Sequence, residues 1–137
     1  MKIISHRGNI SGPNKETENN PDQILKCLEL GFDCEIDLWH KDSCFFLGHD
    51  CPQYKIDFSF LYNKGLWIHC KNLDALINCP PSCNYFWHEN DDYTLTSKKI
   101  IWTFPGKRVE KRCVVVDNDI NWKEKKYKCF GVCTDYV

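Results

Sequence analysis

Apolar positions change period from one segment of the chain to the next, and those changes predict its elements. Lys2 to Ser5 is a short apolar run that reads as a strand, ending at His6-Arg7-Gly8, where Gly8 permits a sharp turn. Asn9 to Asn20 is polar and carries Gly12 and Pro13, so it reads as a loop. Pro21 stands where a first helical turn would begin, with Asn20 as its cap. Ile24, Leu25, Cys27 and Leu28 follow at helical spacing, and Gly31 stops the helix. From Phe32 to Leu38 the period becomes two. Cys34, Ile36 and Leu38 alternate with Asp33, Glu35 and Asp37, which puts three acids on one face of a strand. Cys44 to Leu47 is another apolar run behind the turn His40-Lys41-Asp42-Ser43, and it predicts a hairpin arm that ends at Gly48-His49-Asp50.

The rest of the chain alternates short elements. Phe58 to Tyr62, capped by Asp57, and Asn72 to Ile77 read as short helices. Leu66 to Cys70, Tyr85 to Trp87, Lys99 to Thr103, Val114 to Val116 and Cys129 to Val132 read as strands. Strands spaced by short helices predict an α/β fold with a largely parallel sheet.

Length narrows this to a single domain over residues 1–137. A formal net charge of -1 supplies no overall attraction to nucleic acid or to an anionic membrane surface. The basic stretch Lys107, Arg108, Lys111, Arg112 reads as a solvated face. No stretch approaches the ~20 apolar residues of a membrane span, so stable membrane insertion is not expected. The few apolar residues before His6 do not make a secretory leader, and a soluble, cytoplasmic protein is the expectation. Ten cysteines then read mainly as reduced thiols in apolar runs, with a zinc site or disulfides as alternatives. The close pairs are Cys79-x3-Cys83 and Cys129-x3-Cys133, wider than the CxxC of zinc knuckles.

Candidate chemistry collects at strand ends. His6-Arg7-Gly8 follows the first strand, Glu35-x-Asp37 lies along the second, and Gly48-His49-Asp50 follows the hairpin. Each has a plain structural explanation alone: a chance tripeptide, the solvent face of an edge strand, a surface histidine. Together they combine two imidazoles, a guanidinium and a carboxylate pair of the kind that binds a hard divalent cation. In parallel α/β folds the carboxyl ends of strands line the ligand site. The segment Tyr85 to Thr94 offers His88, Glu89, Asp91 and Asp92 as mouth residues, or as an acidic turn. Trp102 to Gly106 reads as rim packing or as a substrate platform.

Taken in order, Ile3-Ile4-Ser5-His6-Arg7-Gly8, Glu18-Asn19, Gly31 to Leu38 with its Glu35-x-Asp37, and Gly48-His49-Asp50 resemble the glycerophosphodiester phosphodiesterase family. That family belongs with the phosphatidylinositol-specific phospholipase C-like TIM barrels. The resemblance covers roughly the first 50 residues. Beyond it, Ile68-His69-Cys70-Lys71 stands where the family has E-x-K, so His69 replaces a ligand glutamate while Lys71 matches. Gly131-Val132-Cys133-Thr134-Asp135 is similar to the family's closing G-x-x-T-D.

The resemblance implies a reduced or incomplete TIM (β/α) barrel, because a full one runs to about 250 residues. A second copy completing it would make a homo-oligomer. It also implies a metal-dependent phosphodiesterase for a small glycerol- or sugar-linked diester. Glu35 and Asp37 would hold Mg2+ or Ca2+, joined by His69 or by a shifted acid such as Glu89. His6 and His49 would be the acid/base pair, and Arg7 and Lys71 would bind phosphate oxygens. The alternatives are a member of the family that binds a phosphorylated ligand or metal without turnover and, after it, a metal-dependent phosphomonoesterase or nuclease.

Overall fold

The computed structural model describes residues 1–137. Ten strands form one curled, mixed sheet: β1 (Lys2–His6), β2 (Asp33–Lys41), β3 (Cys44–Leu47), β4 (Tyr54–Ile56), β5 (Leu66–Cys70), β6 (Tyr85–Phe86), β7 (Tyr93–Leu95), β8 (Ile101–Thr103), β9 (Cys113–Val116) and β10 (Gly131–Thr134). The two α-helices are α1 (Pro21–Glu29) and α2 (Leu73–Asn78). Strands β6, β5, β2, β1, β10, β9 and β8 run parallel in that order. Antiparallel β3 and β4 extend from the far end of β2, and β7 lies antiparallel on β8.

This corrects the expected reduced or incomplete TIM (β/α) barrel. The molecule is mostly sheet, and helices do not alternate with strands. The physical reason lies in the connections. A helical crossover between parallel strands takes a dozen or more residues. The chain devotes residues 42–43, 48–53 and 96–100 to links between antiparallel strands instead. Residues 104–112, between parallel β8 and β9, hold Pro105, Gly106 and five charged side chains and carry no helix. Residues 117–130 manage only a 3-10 turn at Trp122–Lys125. Phe58–Tyr62 is likewise a 3-10 turn rather than a helix. Strands β4 and β7 escape the apolar pattern because they bury little: of their side chains only Ile56 is buried, and each strand is specified by its partner.

Period-two alternation sorts the side chains between two faces. Register partners on parallel strands share a face, which links Ile4 to Cys133, Glu35 to Trp67, His69 to Phe86 and Trp102 to Val114. Inside the curl, Ile4, Trp67, Phe86, Trp102, Val114 and Cys133 form one apolar cluster. Phe86 stacks on Trp102 across it, with centroids 4.6 Å apart. On the outer face Cys34, Ile36, Leu38, Ile68 and Cys70 pack with Ile24 and Cys27 of α1 and Ala75 of α2. Burying a side chain such as Ile36 contributes about 1.5–3 kcal/mol.

Helix α1 forms as its sequence dictates. Pro21 starts it, the Asn20 side chain accepts from the Asp22 N–H, and its apolar stripe faces β2. All ten cysteines are free, and Cys27, Cys34, Cys70, Cys79, Cys83, Cys113 and Cys133 are buried, consistent with thiols acting as small hydrophobes. No helix is long and apolar enough to cross a membrane.

Candidate active site

The same alternation that fills the curl with apolar rings places polar groups one step further along each strand. Beyond Ile4 comes His6, beyond Trp67 comes His69, and beyond Cys133 comes Asp135. Glu35 and Asp37 occupy this face of β2, opposite His6 and His69 in register. The carboxyl ends of β1, β2, β5 and β10 therefore share one mouth, and His88 follows β6 beside them.

His6 is held by Asp135. Its Nδ1 lies 2.9 Å from Asp135 Oδ1, which also accepts from Asn9 Nδ2 at 2.7 Å. Burial alone would lower the His6 pKa, but the Asp135 hydrogen bond and the Glu35 charge outweigh it and raise the pKa. Its Nε2 lies 4.0 Å from Glu35 Oε2.

Arg7 takes a positive φ of 55°, which turns the chain sharply after β1 and brings its backbone N–H to Glu35 Oε2 at 3.3 Å. Its Nε stands 3.2 Å from Asp37 Oδ2, and its Nη1 stands 3.5 Å from Glu18 Oε2. Asn19, fully buried at φ 60°, clasps Asp37 twice. It donates from Nδ2 to Oδ2 and accepts the Asp37 N–H at Oδ1, both at 2.9 Å.

Glu35 and Asp37 are both buried, and their charges divide. Burial, and then the Asp37 charge, raise the Glu35 pKa. Burial would raise Asp37 as well, but the His69 contact and the Arg7 charge outweigh it and hold Asp37 low. The two carboxyls are thus pushed in opposite directions, Glu35 toward its protonated form and Asp37 toward its anion. Asp37 Oδ1 is buried without a hydrogen-bond partner. His69 Nδ1 lies 3.2 Å from that oxygen and 3.8 Å from Glu35 Oε1. The donor atoms of Glu35, Asp37 and His69 all lie within 4.8 Å of one another, a grouping able to hold a metal ion. Lys71 Nζ stands 3.9 Å from Asp37 Oδ1.

Of the residues singled out from sequence, His6, Arg7, Glu35, Asp37, His69 and Lys71 meet at this mouth. His49 stands on the loop after β3. Its ring pairs with Asp50, Nδ1 to Oδ1 at 2.7 Å, and makes no hydrogen bond or ion pair to the cluster. That loop is nevertheless tied to the site, because the Gly48 N–H donates to the Asp37 carbonyl at 3.1 Å. Glu89 lines a cavity of about 60 Å³ with His69, Lys71, Trp87 and His88, outside the three-donor grouping. A larger hollow of about 510 Å³ lies away from this chemistry, on the apolar surface of Tyr93, Leu95, Ile101 and Cys113.

Asp135, Asn9 and Asn19 were not assigned roles by sequence reasoning. Glu18-Asn19 and the Thr134-Asp135 ending were visible motifs. The contact of Asp135 with His6, however, spans 129 positions and exists because first and last strands pair. Compared with protein-family models, curated proteins and solved structures, the chain matches none of them.

Proposed function

We propose that the chain is a divalent-metal-assisted phosphodiesterase acting on a small glycerol- or sugar-linked diester. The observation that carries this reading is the gathering, at one mouth, of the Asp135-backed His6, the three donors Glu35, Asp37 and His69, and the cations Arg7 and Lys71. The donor set fits a divalent cation because the buried Asp37 Oδ1 lacks a partner where the other two donors converge. Glu35, Asp37 and His69 would hold the ion, which neutralises charge on a phosphodiester.

The remaining groups divide the work. Asp135 accepts from Nδ1 of His6, which leaves Nε2 of that ring as the proton acceptor. In the proposed reaction the attacking hydroxyl gives its proton to His6 Nε2 as its oxygen bonds to phosphorus. The bond from phosphorus to the leaving alkoxide breaks, and His49 supplies the proton that alkoxide takes up. Arg7 and Lys71 offset charge on the phosphate oxygens.

A second reading, ligand binding without turnover, draws on His49, whose ring partner is Asp50 rather than any cluster residue. A panel of diesters and matching monoesters, with added divalent ions and again after chelation, separates the two. Metal-dependent turnover of a diester but not of its monoester supports the phosphodiesterase. Saturable binding with no turnover replaces it with the second reading.

A further inference from the structure

His69 decides more than the presence of a cation. Its Nε2 lies 2.8 Å from the His88 carbonyl oxygen. A carbonyl only accepts, so Nε2 carries the proton and, in the neutral ring, Nδ1 is bare. The ring is fixed in that pose, lying parallel to Phe86 with planes 7° apart and centroids at 5.3 Å. Nδ1 faces Asp37 Oδ1 at 3.2 Å, an oxygen that is buried and has no hydrogen-bond partner. In the neutral ring that places a nitrogen lone pair against a carboxylate oxygen, a contact that a cation between them relieves, as would a second ring proton. Lys71 Nζ, at 3.9 Å from the same oxygen, is beyond hydrogen-bond reach. Glu35 Oε1, 3.8 Å from Nδ1, completes a set that one small cation can touch at once.

We propose that Glu35, Asp37 and His69 form a mixed carboxylate–imidazole centre that selects a first-row transition dication such as Mn2+ or Zn2+ over Mg2+ and Ca2+. The alkaline-earth ions favour oxygen cages. Imidazole nitrogen shifts preference toward transition metals. A histidine that donates its second N–H to a backbone carbonyl is the usual outer support of such a ligand, and here the His88 carbonyl is the positioning group. The inference rests on the metal-assisted reading for its place in the reaction, but the choice of metal is measured without turnover.

The test titrates metal-free protein with Mn2+, Zn2+, Mg2+ and Ca2+ by calorimetry, for the wild type and for His69→Glu, Asp37→Asn and Glu35→Gln. One saturable site is expected, tightest for the transition ions and lost in the two carboxylate variants, each of which removes an anionic ligand. His69→Glu restores an all-oxygen set, so its preference for Mn2+ over Mg2+ should shrink by about tenfold or more. Pulsed electron paramagnetic resonance of the Mn2+-loaded wild type should show a directly bound nitrogen, absent in His69→Glu. That signal decides the matter by itself if the variant does not fold. No saturable binding, no bound nitrogen, or an unchanged Mn2+/Mg2+ ratio in a folded His69→Glu overturns the proposal. Tight transition-metal binding with no diester turnover would keep this proposal and discard the phosphodiesterase. Turnover supported best by Mg2+, with no bound nitrogen, would do the reverse.

Discussion

Asn19 and Asp135 show how single side chains at the mouth are held. The Asn19 carboxamide both donates to and accepts from Asp37, and its backbone sits at φ 60°, a conformation asparagine tolerates better than most residues. Asn19→Ala strands the buried Asp37 N–H, so we expect a loss of about 1–3 kcal/mol in denaturant unfolding, with weaker metal binding. Unchanged stability and unchanged binding would show that Asn19 does not hold Asp37 in place. Asp135 acts on His6 instead. The His6 pKa is raised in the folded chain, so the pair contributes stability that is full below the unfolded value of about 6.5. That contribution fades as pH rises through the higher folded value. In Asp135→Asn the carboxylate is gone. The NMR titration of His6 in metal-free protein should move down, and the decline in stability through the neutral range should flatten. A titration that stays put would remove Asp135 as the positioning group.

At the scale of elements, β2 is the strand on which the mouth depends. It pairs with β1 through Asp33–Glu35, with β5 through Cys34–Leu38 and with β3 through Leu38–Lys41. Its outward residue Ile36 is fully buried against the helices while its inward neighbours Glu35 and Asp37 serve the site. Ile36→Ala should cost about 2–5 kcal/mol, measured as a fall in the urea midpoint, because the void lies between sheet and helix and cannot close easily. The exit of β3 carries a different constraint. A Cβ on Gly48 would collide with the Cys51 carbonyl oxygen, and the same glycine ties the loop to the Asp37 carbonyl. Gly48→Ala should therefore displace the His49 loop, lowering diester turnover at least about tenfold if His49 supplies the proton. Full activity in Gly48→Ala would detach that loop from the chemistry. The periodicity of β1, β2, β3, β5 and α1 was legible because each is long enough to show a period. Strands β4 and β7, whose side chains are mostly not buried, were not.

For the whole molecule, the ten free cysteines predict indifference to reductant. Dithiothreitol should leave the melting temperature unchanged, whereas loss of a native disulfide would remove about 2–4 kcal/mol. A clear drop would mean that thiols pair in solution. The sequence by itself determined which positions alternate between core and mouth, where α1 starts and stops, and that two acids share a face of β2, because these follow from backbone periods acting over a few residues. It also supplied six of the residues that meet at the mouth. It did not determine the architecture. Strands and short helices read in order suggest a regular α/β barrel, but helical crossovers need length, and several connections here are tight antiparallel turns or stretches rich in proline, glycine and charge. Only the tertiary structure decided that β1 lies beside β10, bringing Asp135 to His6, and that the His88 carbonyl holds the His69 ring with Nδ1 toward Asp37. Those contacts join residues far apart in the chain, and no local pattern of polar and apolar positions encodes which strand ends will meet when the sheet curls.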